Sequence, residues 1–313
     1  MVKLYLRIVL FFLPVFVLLT ILPINKRLKY QGLKGGCSNR GIWIHDRVFI
    51  NEIPIDIAFV GTSRTSNGIS DKLIQKTLEK DSIYSHVANL GYCRDGRNVS
   101  YSFIKDILKG KQIQYLFFEV REDEARKGHD IFPYVAETND VLAPVLFYNP
   151  GYFSDIWYHF AYRLELFQDD IFNRVEPVDT VKGNFRSMFF KRTVSPKLLD
   201  KAKERRERKY RKLPIWERNF HMHYPRGYIK KVYNLCEENG VELKFLYIPG
   251  YAIPHELPEE IDFYKQYGEV YLPPRIIFDK QTNWVDHEHL NEAGAYELSY
   301  WFADEVKRRN LLN

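Results

Sequence analysis

Short apolar segments alternate with helical patterns along most of this chain, and that alternation limits the fold more than any other feature. Five segments have the length and composition of buried strands: residues 55–60, 85–90, 113–120, 241–248 and 270–272. Helical periodicity covers residues 70–79, 99–109, 228–238 and 291–309. Parallel strands need long crossover connections, so strands that alternate with helices predict a parallel sheet covered on both faces. We therefore predict an α/β fold with a doubly wound sheet.

One long stretch interrupts the alternation between the third and fourth predicted strands. Residues 124–225 are rich in aromatic side chains, among them Phe147, Tyr148, Tyr152, Phe153, Trp157, Tyr158 and Phe160. We predict that this stretch is a largely helical cap that is inserted into the fold and overhangs the strand ends. Its aromatic residues either form a wall of a substrate site or fill the cap's own core.

The amino-terminal residues have a different character from the rest of the chain. Residues 4–23 are apolar apart from Arg7 and Thr20, and a helix of this length can cross a hydrocarbon core of ~30 Å. A cleaved signal peptide is the competing interpretation, but no pair of small residues marks a cleavage site, and Lys26 and Arg27 follow at once. We predict an uncleaved membrane anchor. Cations on the two sides of the segment balance, so charge alone does not set its orientation.

Composition divides the chain into three parts. We predict an anchor over residues 1–25, a polar, glycine-rich linker over residues 26–52, and an α/β domain over residues 53–313 that includes the cap.

The net charge of +6 is modest, and many cations lie in residues 201–212. That run predicts a solvated helix, with contact to anionic lipid headgroups or an anionic polymer as the alternative. Nucleic acid is not an expected partner of a membrane-anchored chain.

The chain contains three cysteines, Cys37, Cys93 and Cys236. They are too few and too scattered for a disulfide framework or a zinc site of cysteine pairs, so at most one bridge forms. No cofactor is implied.

A serine follows the first predicted strand directly. The turn Gly61-Thr62-Ser63-Arg64 comes after the apolar run Ile55–Val60. Ser63 is therefore expected at the carboxyl end of a buried strand, where open α/β sheets place their active sites. A serine hydroxyl is a weak nucleophile unless a neighbouring base takes its proton.

An Asp-x-x-His element lies far downstream, just before the last predicted helix. Asp286 and His289 are three residues apart, so one turn of chain can bring both side chains to one side. Their loop and Ser63 are expected at the same edge of the parallel sheet. A histidine base works best when a carboxylate orients it. We predict that Ser63 is a nucleophile, His289 its base and Asp286 the residue that orients the base.

Each of these residues alone also fits a structural role. Ser63 fits a turn former, Asp286 a turn or helix cap, and His289 a surface residue, so only their order and spacing favour a triad. His287 and His289 would form a metal pair only with a third ligand, which is not evident, and side chains at i and i+2 diverge on a helix. Asn98 lies in a glycosylation sequon, which has meaning only in a eukaryotic secretory pathway.

Three blocks of the sequence resemble the SGNH/GDSL hydrolase superfamily. They are the Gly61-Thr-Ser63-Arg64 turn, Asn89-Leu-Gly91 after the second strand, and Asp286-x-x-His289-Leu-Asn-x-x-Gly294. The resemblance covers about residues 53–124 and 226–309. It implies a flavodoxin-like sheet, the same three catalytic residues, and an oxyanion hole that uses the backbone N–H of Gly91 or Gly96.

The sequence departs from the family pattern in two places. Thr62 stands where the family has Asp, a change also found in cell-envelope branches. After the third strand the family has an oxyanion Asn, but here the residues are Phe118-Glu119-Val-Arg121-Glu122. Loss of one oxyanion donor can cost about 3 kcal/mol of transition-state stabilisation. The arginines that could substitute for it are Arg64, Arg94 and Arg121.

This departure is more typical of envelope acyltransferase-like relatives, which O-acylate exopolysaccharide or D-alanylate teichoic acid, than of lipases and esterases. The resemblance implies a single-pass protein of a bacterial cytoplasmic membrane with its α/β domain outside. We expect transfer of an O-acyl group, with acetyl preferred, to or from a cell-envelope or extracellular polysaccharide, with the final acceptor a sugar hydroxyl or water. The alternative is a degenerate scaffold that binds glycan or a membrane-bound acyltransferase partner without turnover.

Overall fold

The computed structural model describes residues 23–33, 39–121, 128–143, 145, 147–176, 189–209, 213–253 and 255–312, with scattered positions before residue 23. Most of the predicted anchor over residues 4–23, and Cys37, lie outside the described residues. Within the described part of the chain, no helix is both long enough and apolar enough to cross a membrane.

The centre of the fold is a sheet of five parallel strands. They are β1 Ile57–Val60, β2 Val87–Asn89, β3 Tyr115–Val120, β4 Glu242–Tyr247 and β5 Glu269–Tyr271. Their order in the sheet is β2-β1-β3-β4-β5, and every neighbouring pair is parallel. This is the strand order of flavodoxin-like doubly wound sheets. The prediction of a parallel α/β sheet is confirmed. Strands β1 to β4 lie inside their predicted segments, and β5 begins one residue before its segment.

Helices cover both faces of the sheet. In chain order, those among the described residues are α1 Lys26–Gln31, α2 Arg40–Phe49, α3 Ser63–Gly68, α4 Asp71–Glu79, α5 Arg97–Gly110, α6 Phe132–Val135, α7 Thr138–Val141, α8 Tyr152–Ile171, α9 Pro196–Lys209, α10 Ile215–Glu238, α11 Ile261–Tyr264, α12 Ile276–Asp279 and α13 Glu292–Arg308, with a 3₁₀ turn at Gln281–Asn283. Alternate strand residues point to opposite faces. Ala58 and Val60 pack with α2, α5 and α10, whereas Ile57 and Phe59 pack with α4, α12 and α13.

The helix predicted over residues 228–238 is longer in the structure and crosses the predicted end of the cap at residue 225. The helix predicted to begin at residue 228 begins at Ile215 and continues through Pro225. A proline inside a helix costs about 3 kcal/mol, but Tyr224 and Tyr228 on either side are buried in a cluster with Phe132. This packing lets one helix run from the insertion into the core.

The segment predicted as a linker, residues 26–52, is helical over much of its described part. This segment contains α1 and α2, and Ile44 and Val48 of α2 are buried in the main core. Arg27 of α1 forms an ion pair with Asp46 of α2, with Nε 3.1 Å from Oδ1. The helical spacing of Ile44 and Val48 is difficult to recognise in the sequence, because glycine and charged residues surround them.

The described residues of the insertion form helices and contain no strand. Its aromatic residues have two different environments. Tyr148 stacks on His223 with ring centroids 3.7 Å apart. By contrast, Phe147, Phe153 and Trp157 are 81%, 70% and 70% exposed. The insertion therefore buries some of its aromatic side chains and leaves others in solvent.

Two further sequence features are placed by the fold. Asn98 of the sequon is fully buried, where its side chain accepts the backbone N–H groups of Val99 and His129. Cys93, on the loop after β2, is disulfide-bonded, whereas Cys236 is a buried free thiol.

A buried histidine links α8 to the helices before it. His159 Nδ1 lies 2.7 Å from the carbonyl oxygen of Pro133, and Nε2 lies 3.0 Å from Thr138 Oγ1. Burial lowers the pKa of His159 to about 4. The hydrogen bond to Pro133 acts in the opposite direction because it favours the charged form, whereas nearby Lys29 and Arg163 lower the pKa further. His159 is therefore neutral in the folded protein at neutral pH.

We predict that His159 makes the free energy of unfolding fall as the pH drops from 6.5 to about 4. In this window the unfolded chain binds a proton that the folded chain does not, which removes up to about 3 kcal/mol of stability. Urea denaturation of the detergent-solubilised chain at several pH values measures this effect. His159→Gln should flatten the dependence. Equal pH dependence in wild type and His159→Gln would contradict the prediction.

Candidate active site

Ser63 is the first residue of α3 and lies just beyond the carboxyl end of β1. Gly61 makes the preceding turn, and no other residue fits there. A Cβ atom on Gly61 would lie 2.4 Å from Glu119 Oε2 and 2.3 Å from Thr65 Oγ1. Crossovers from β1 and from β2 leave in opposite directions, so Ser63 lies at the switch point between β1 and β3 where doubly wound sheets bind ligands.

Ser63, His289 and Asp286 form a continuous hydrogen-bonded chain. Ser63 Oγ lies 2.7 Å from His289 Nε2. His289 Nδ1 lies 2.9 Å from both carboxylate oxygens of Asp286. An ionised carboxylate only accepts hydrogen bonds, so Nδ1 carries the proton and Nε2 is free to accept the serine hydroxyl. The structure thus brings together the three residues that the sequence pattern singled out.

The loop that carries Asp286 and His289 is closed at its base. Val285 N–H donates to the carbonyl of His289 at 3.1 Å, next to an antiparallel bridge between Trp284 and Leu290, which are both buried. Asn291 then caps α13 by accepting the N–H of Gly294 at 3.1 Å. These contacts explain why the Leu-Asn-x-x-Gly portion of the sequence block accompanies the histidine.

Asp286 is held in its charged form. Burial would raise its pKa, but hydrogen bonds from the His289 ring and from the backbone N–H groups of Glu288 and His289 outweigh this effect. The pKa of Asp286 consequently lies below its ordinary value. The carboxylate can therefore orient His289 and stabilise a positive charge on the ring over the whole neutral pH range.

A buried carboxylate fixes the turn on which Ser63 lies. Glu119, at the end of β3, is 3% exposed and accepts hydrogen bonds from four donors. These donors are the backbone N–H and hydroxyl groups of Thr62 and Thr65, at distances of 2.5–3.2 Å. Thr62 Oγ1 in turn accepts the Arg64 N–H at 3.1 Å. Ser63 is thus held between two threonines that share one acidic anchor.

A second carboxylate, Glu288, joins three arginines beside the histidine. Arg64 donates to Glu288 through Nε at 3.1 Å and also through an Nη atom. Arg206 of α9 donates to the other oxygen of Glu288 and to the carbonyl of Tyr251. Arg121 lies within 3.8 Å of Glu288 and also donates to Thr62 Oγ1 at 3.3 Å. We call Arg64, Arg121 and Arg206 the arginine cluster, which connects the serine turn, the histidine loop and the insertion.

Among the predicted oxyanion candidates, the Gly91 N–H and the Arg94 guanidinium have partners of their own, and Gly96 packs against a histidine. Gly91 packs so closely against α3 that an added Cβ would lie 2.7 Å from Ser66 N. Its N–H donates to Asn89 Oδ1 at 3.0 Å. Gly96 precedes α5 with a φ of +152° and packs against His129. The guanidinium of Arg94 is 71% exposed and lies 3.3 Å from Asp130.

Ser63 itself carries a backbone N–H at the site. The first N–H groups of a helix have no partner within the helix, and the Ser63 N–H donates no hydrogen bond to the described part of the chain. Of the two remaining candidates, Arg64 donates to Glu288. Arg121 contacts both loops of the site, through Thr62 and Glu288, and forms an ion pair with Asp95 at 2.6 Å.

Sequence reasoning did not assign roles to Glu119, Glu288 and Arg206. Glu119 carries a usable signal, because it ends a predicted strand at the same edge as Ser63. Arg206 belongs to the basic run over residues 201–212, for which a solvated helix was expected. Its contact with Glu288, 82 residues away, has no signal in the sequence.

No protein-family model matches the chain, and a search of curated proteins finds no similar sequence.

We predict that Glu119→Gln slows the reaction of Ser63 with a serine-directed fluorophosphonate by about 100-fold, since a misplacement of about 1 Å has a cost of this size. In wild type the Glu119 carboxylate accepts hydrogen bonds from the N–H and hydroxyl groups of Thr62 and Thr65. In the variant, the N–H groups of the glutamine amide would face these donors instead. Labelling rates, measured on protein with native circular dichroism, test this expectation.

Glu260→Gln is the matched control for this substitution. Glu260 is also buried, but the hydrogen bonds it accepts come from Arg218 and Arg226 of α10 and not from the serine turn. We expect it to change stability and to leave the labelling rate unchanged. A wild-type rate in Glu119→Gln would contradict the role of Glu119.

Proposed function

We propose that this chain is a membrane-anchored serine enzyme of SGNH type that transfers an O-acyl group, preferably acetyl, to or from a polysaccharide. The observation that carries the proposal is the hydrogen-bonded order Ser63, His289, Asp286, with contacts of 2.7 and 2.9 Å. The alternative of a degenerate scaffold would leave these side chains without a reason to converge at the switch point of the sheet.

The proposed reaction has two steps. In the first, Ser63 Oγ attacks the acyl carbonyl while His289 Nε2 takes the hydroxyl proton, and Asp286 stabilises the charged imidazole. His289 then returns the proton to the departing alcohol oxygen, which leaves an acyl-Ser63 ester. In the second, a sugar hydroxyl or water attacks this ester, His289 takes its proton, and the proton returns to Ser63.

The oxyanion of each tetrahedral intermediate needs hydrogen-bond donors. We propose the Ser63 N–H as one donor, because it has no partner in the described part of the chain. Arg121 is the proposed second donor, because its guanidinium already contacts Thr62 at 3.3 Å. In this arrangement the positive charge of Arg121 takes the place of the family's asparagine, and donors of this kind are worth about 3 kcal/mol each.

The proposed location is the outer face of a bacterial cytoplasmic membrane, with residues 4–23 as the anchor. The disulfide at Cys93 supports this, because disulfides persist in oxidising compartments and are rare in the cytosol. The proposed partner is an acylated glycan, with a membrane-bound acyltransferase as a further candidate partner. These assignments rest on the resemblance of the sequence blocks.

We predict that a fluorophosphonate labels the detergent-solubilised full chain on Ser63. Ser63→Ala should abolish the labelling, because the attacking oxygen is gone. His289→Ala should lose nearly all of it, because the base is gone. Asp286→Asn should slow it by about 10⁴-fold, as loss of the orienting carboxylate does in serine proteases. In-gel fluorescence over time measures all three rates.

Ser66→Ala is the control, since Ser66 lies one turn of α3 beyond Thr62 and its side chain is not part of the triad. It should react like wild type. Folded wild-type protein that fails to react, or that reacts equally after Ser63→Ala, would refute the serine mechanism and favour the scaffold.

Transfer and hydrolysis are separated by what accepts the acyl group. We predict that, with an activated acetyl ester as donor, added oligosaccharide raises the rate of donor cleavage and gains acetyl groups. Both products are measured by mass spectrometry against Ser63→Ala. Acetate release alone, unaffected by oligosaccharide, would make the protein an esterase.

A further inference from the structure

Helix α8 has an exposed apolar face that runs along its whole length. Phe153, Trp157, Leu164 and Ile171 are 70%, 70%, 46% and 61% exposed, and Phe160 is partly exposed. They follow one another at spacings of three, four and seven residues, which places them on one side of an α-helix. We call these five residues the α8 stripe. No charged residue lies at this spacing, where Gln168 is the remaining member.

The opposite side of α8 packs on the protein. Its buried residues are His159, Tyr162, Arg163 and Leu166. An amphipathic surface helix normally turns its apolar face inward and its polar face to water. Here the inward face contains a histidine, a tyrosine and an arginine, while the outward face is apolar. This inversion indicates that the outward face meets something other than water.

The end of the predicted anchor lies against this same helix. Ile24, one residue beyond the anchor segment at 4–23, packs with Leu28, Tyr162 and Leu166. The Tyr162 hydroxyl donates to the carbonyl of Lys29 in α1 at 2.9 Å. Because a helix with its side chains is about 10–12 Å across, the α8 stripe is about one helix diameter from the point where the chain would leave the bilayer.

The residues that directly follow the carboxyl end of α8 also form hydrogen bonds with α1. Gln31 Nε2 donates to the carbonyl of Arg174 at 2.9 Å, and Glu176 N–H donates to Gln31 Oε1 at 2.9 Å. Phe172, 66% exposed, lies under the guanidinium of Arg174 at 5.2 Å. An aromatic ring beside a cation is typical of a segment that lies at the headgroup level of a membrane.

We propose that the α8 stripe lies in the interface of the membrane that holds the anchor, with Phe153, Trp157 and Leu164 among the acyl chains. This inference rests on the anchoring part of the proposed function and not on the triad. The occupant is lipid, because the chain enters the membrane next to this helix and because aromatic and leucine side chains on a helix in the membrane plane bind at the headgroup boundary. The membrane contact then fixes the α/β domain with α8 toward the bilayer.

Quenching of tryptophan fluorescence by brominated lipid tests the proposal on the full chain. The protein is reconstituted into vesicles of phosphatidylethanolamine and phosphatidylglycerol, with or without bromine on the acyl chains. The emission of Trp157 is the difference between wild type and Trp157→Phe. Tyr84→Trp in the Trp157→Phe background is the matched control, since Tyr84 is 81% exposed and follows α4 on the other face of the sheet.

We expect the Trp157 emission to lose most of its intensity with brominated lipid, and the emission at position 84 to keep its intensity. Equal intensity loss at both positions, or none at either in vesicles that carry the protein, would overturn the proposal while leaving the anchor intact. Emission of Trp157 that is shifted to the blue but not quenched would overturn it in favour of a second copy or another protein on this face. Protein that fails to float with vesicles would overturn the anchor and the stripe together, and the fluorophosphonate reaction of Ser63 would be unaffected.

Discussion

Parallel pairing of β1 between β2 and β3 is the constraint on which the site depends. It puts the carboxyl ends of strands from distant parts of the chain at one edge, so that the turn after β1, through Thr62, meets Glu119 near the end of β3. The histidine loop reaches the same edge from 226 residues away. Each side chain then needs only local geometry to complete the hydrogen-bonded chain.

Two carboxylates stabilise this edge of the sheet through different contacts. Glu119 is buried and fixes the serine turn through two threonines, whereas Glu288 is partly exposed and gathers the arginine cluster. A buried carboxylate without such donors would be very costly, so the threonines beside Ser63 and the acid on β3 form one unit. A threonine at position 62 fits this unit, because a second carboxylate there would face Glu119 directly.

The elements that could be predicted from the sequence are those with a continuous apolar run or a clear helix-capping residue. The strands are short apolar runs, and α4 and α13 begin at capping residues, Ser70 and Asn291. Ser63 and His289 could be placed together because parallel strands put the loops at their carboxyl ends on the same edge of the sheet. Helix α2 was missed because Ile44 and Val48 are its main buried apolar residues among glycines and charges. The outward stripe of α8 could not be predicted, because aromatic residues occur on both sides of that helix and only packing shows which side is buried.

We propose that Ser63 carries a covalent acyl group during turnover. Brief reaction of the full chain with an activated acetyl ester, followed by acid quenching and peptide mass spectrometry, tests it most directly. We expect a single acetyl group on Ser63 that disappears when an oligosaccharide acceptor is added before the quench. Acetylation at lysines only, or none on a folded chain that consumes the ester, would contradict the account.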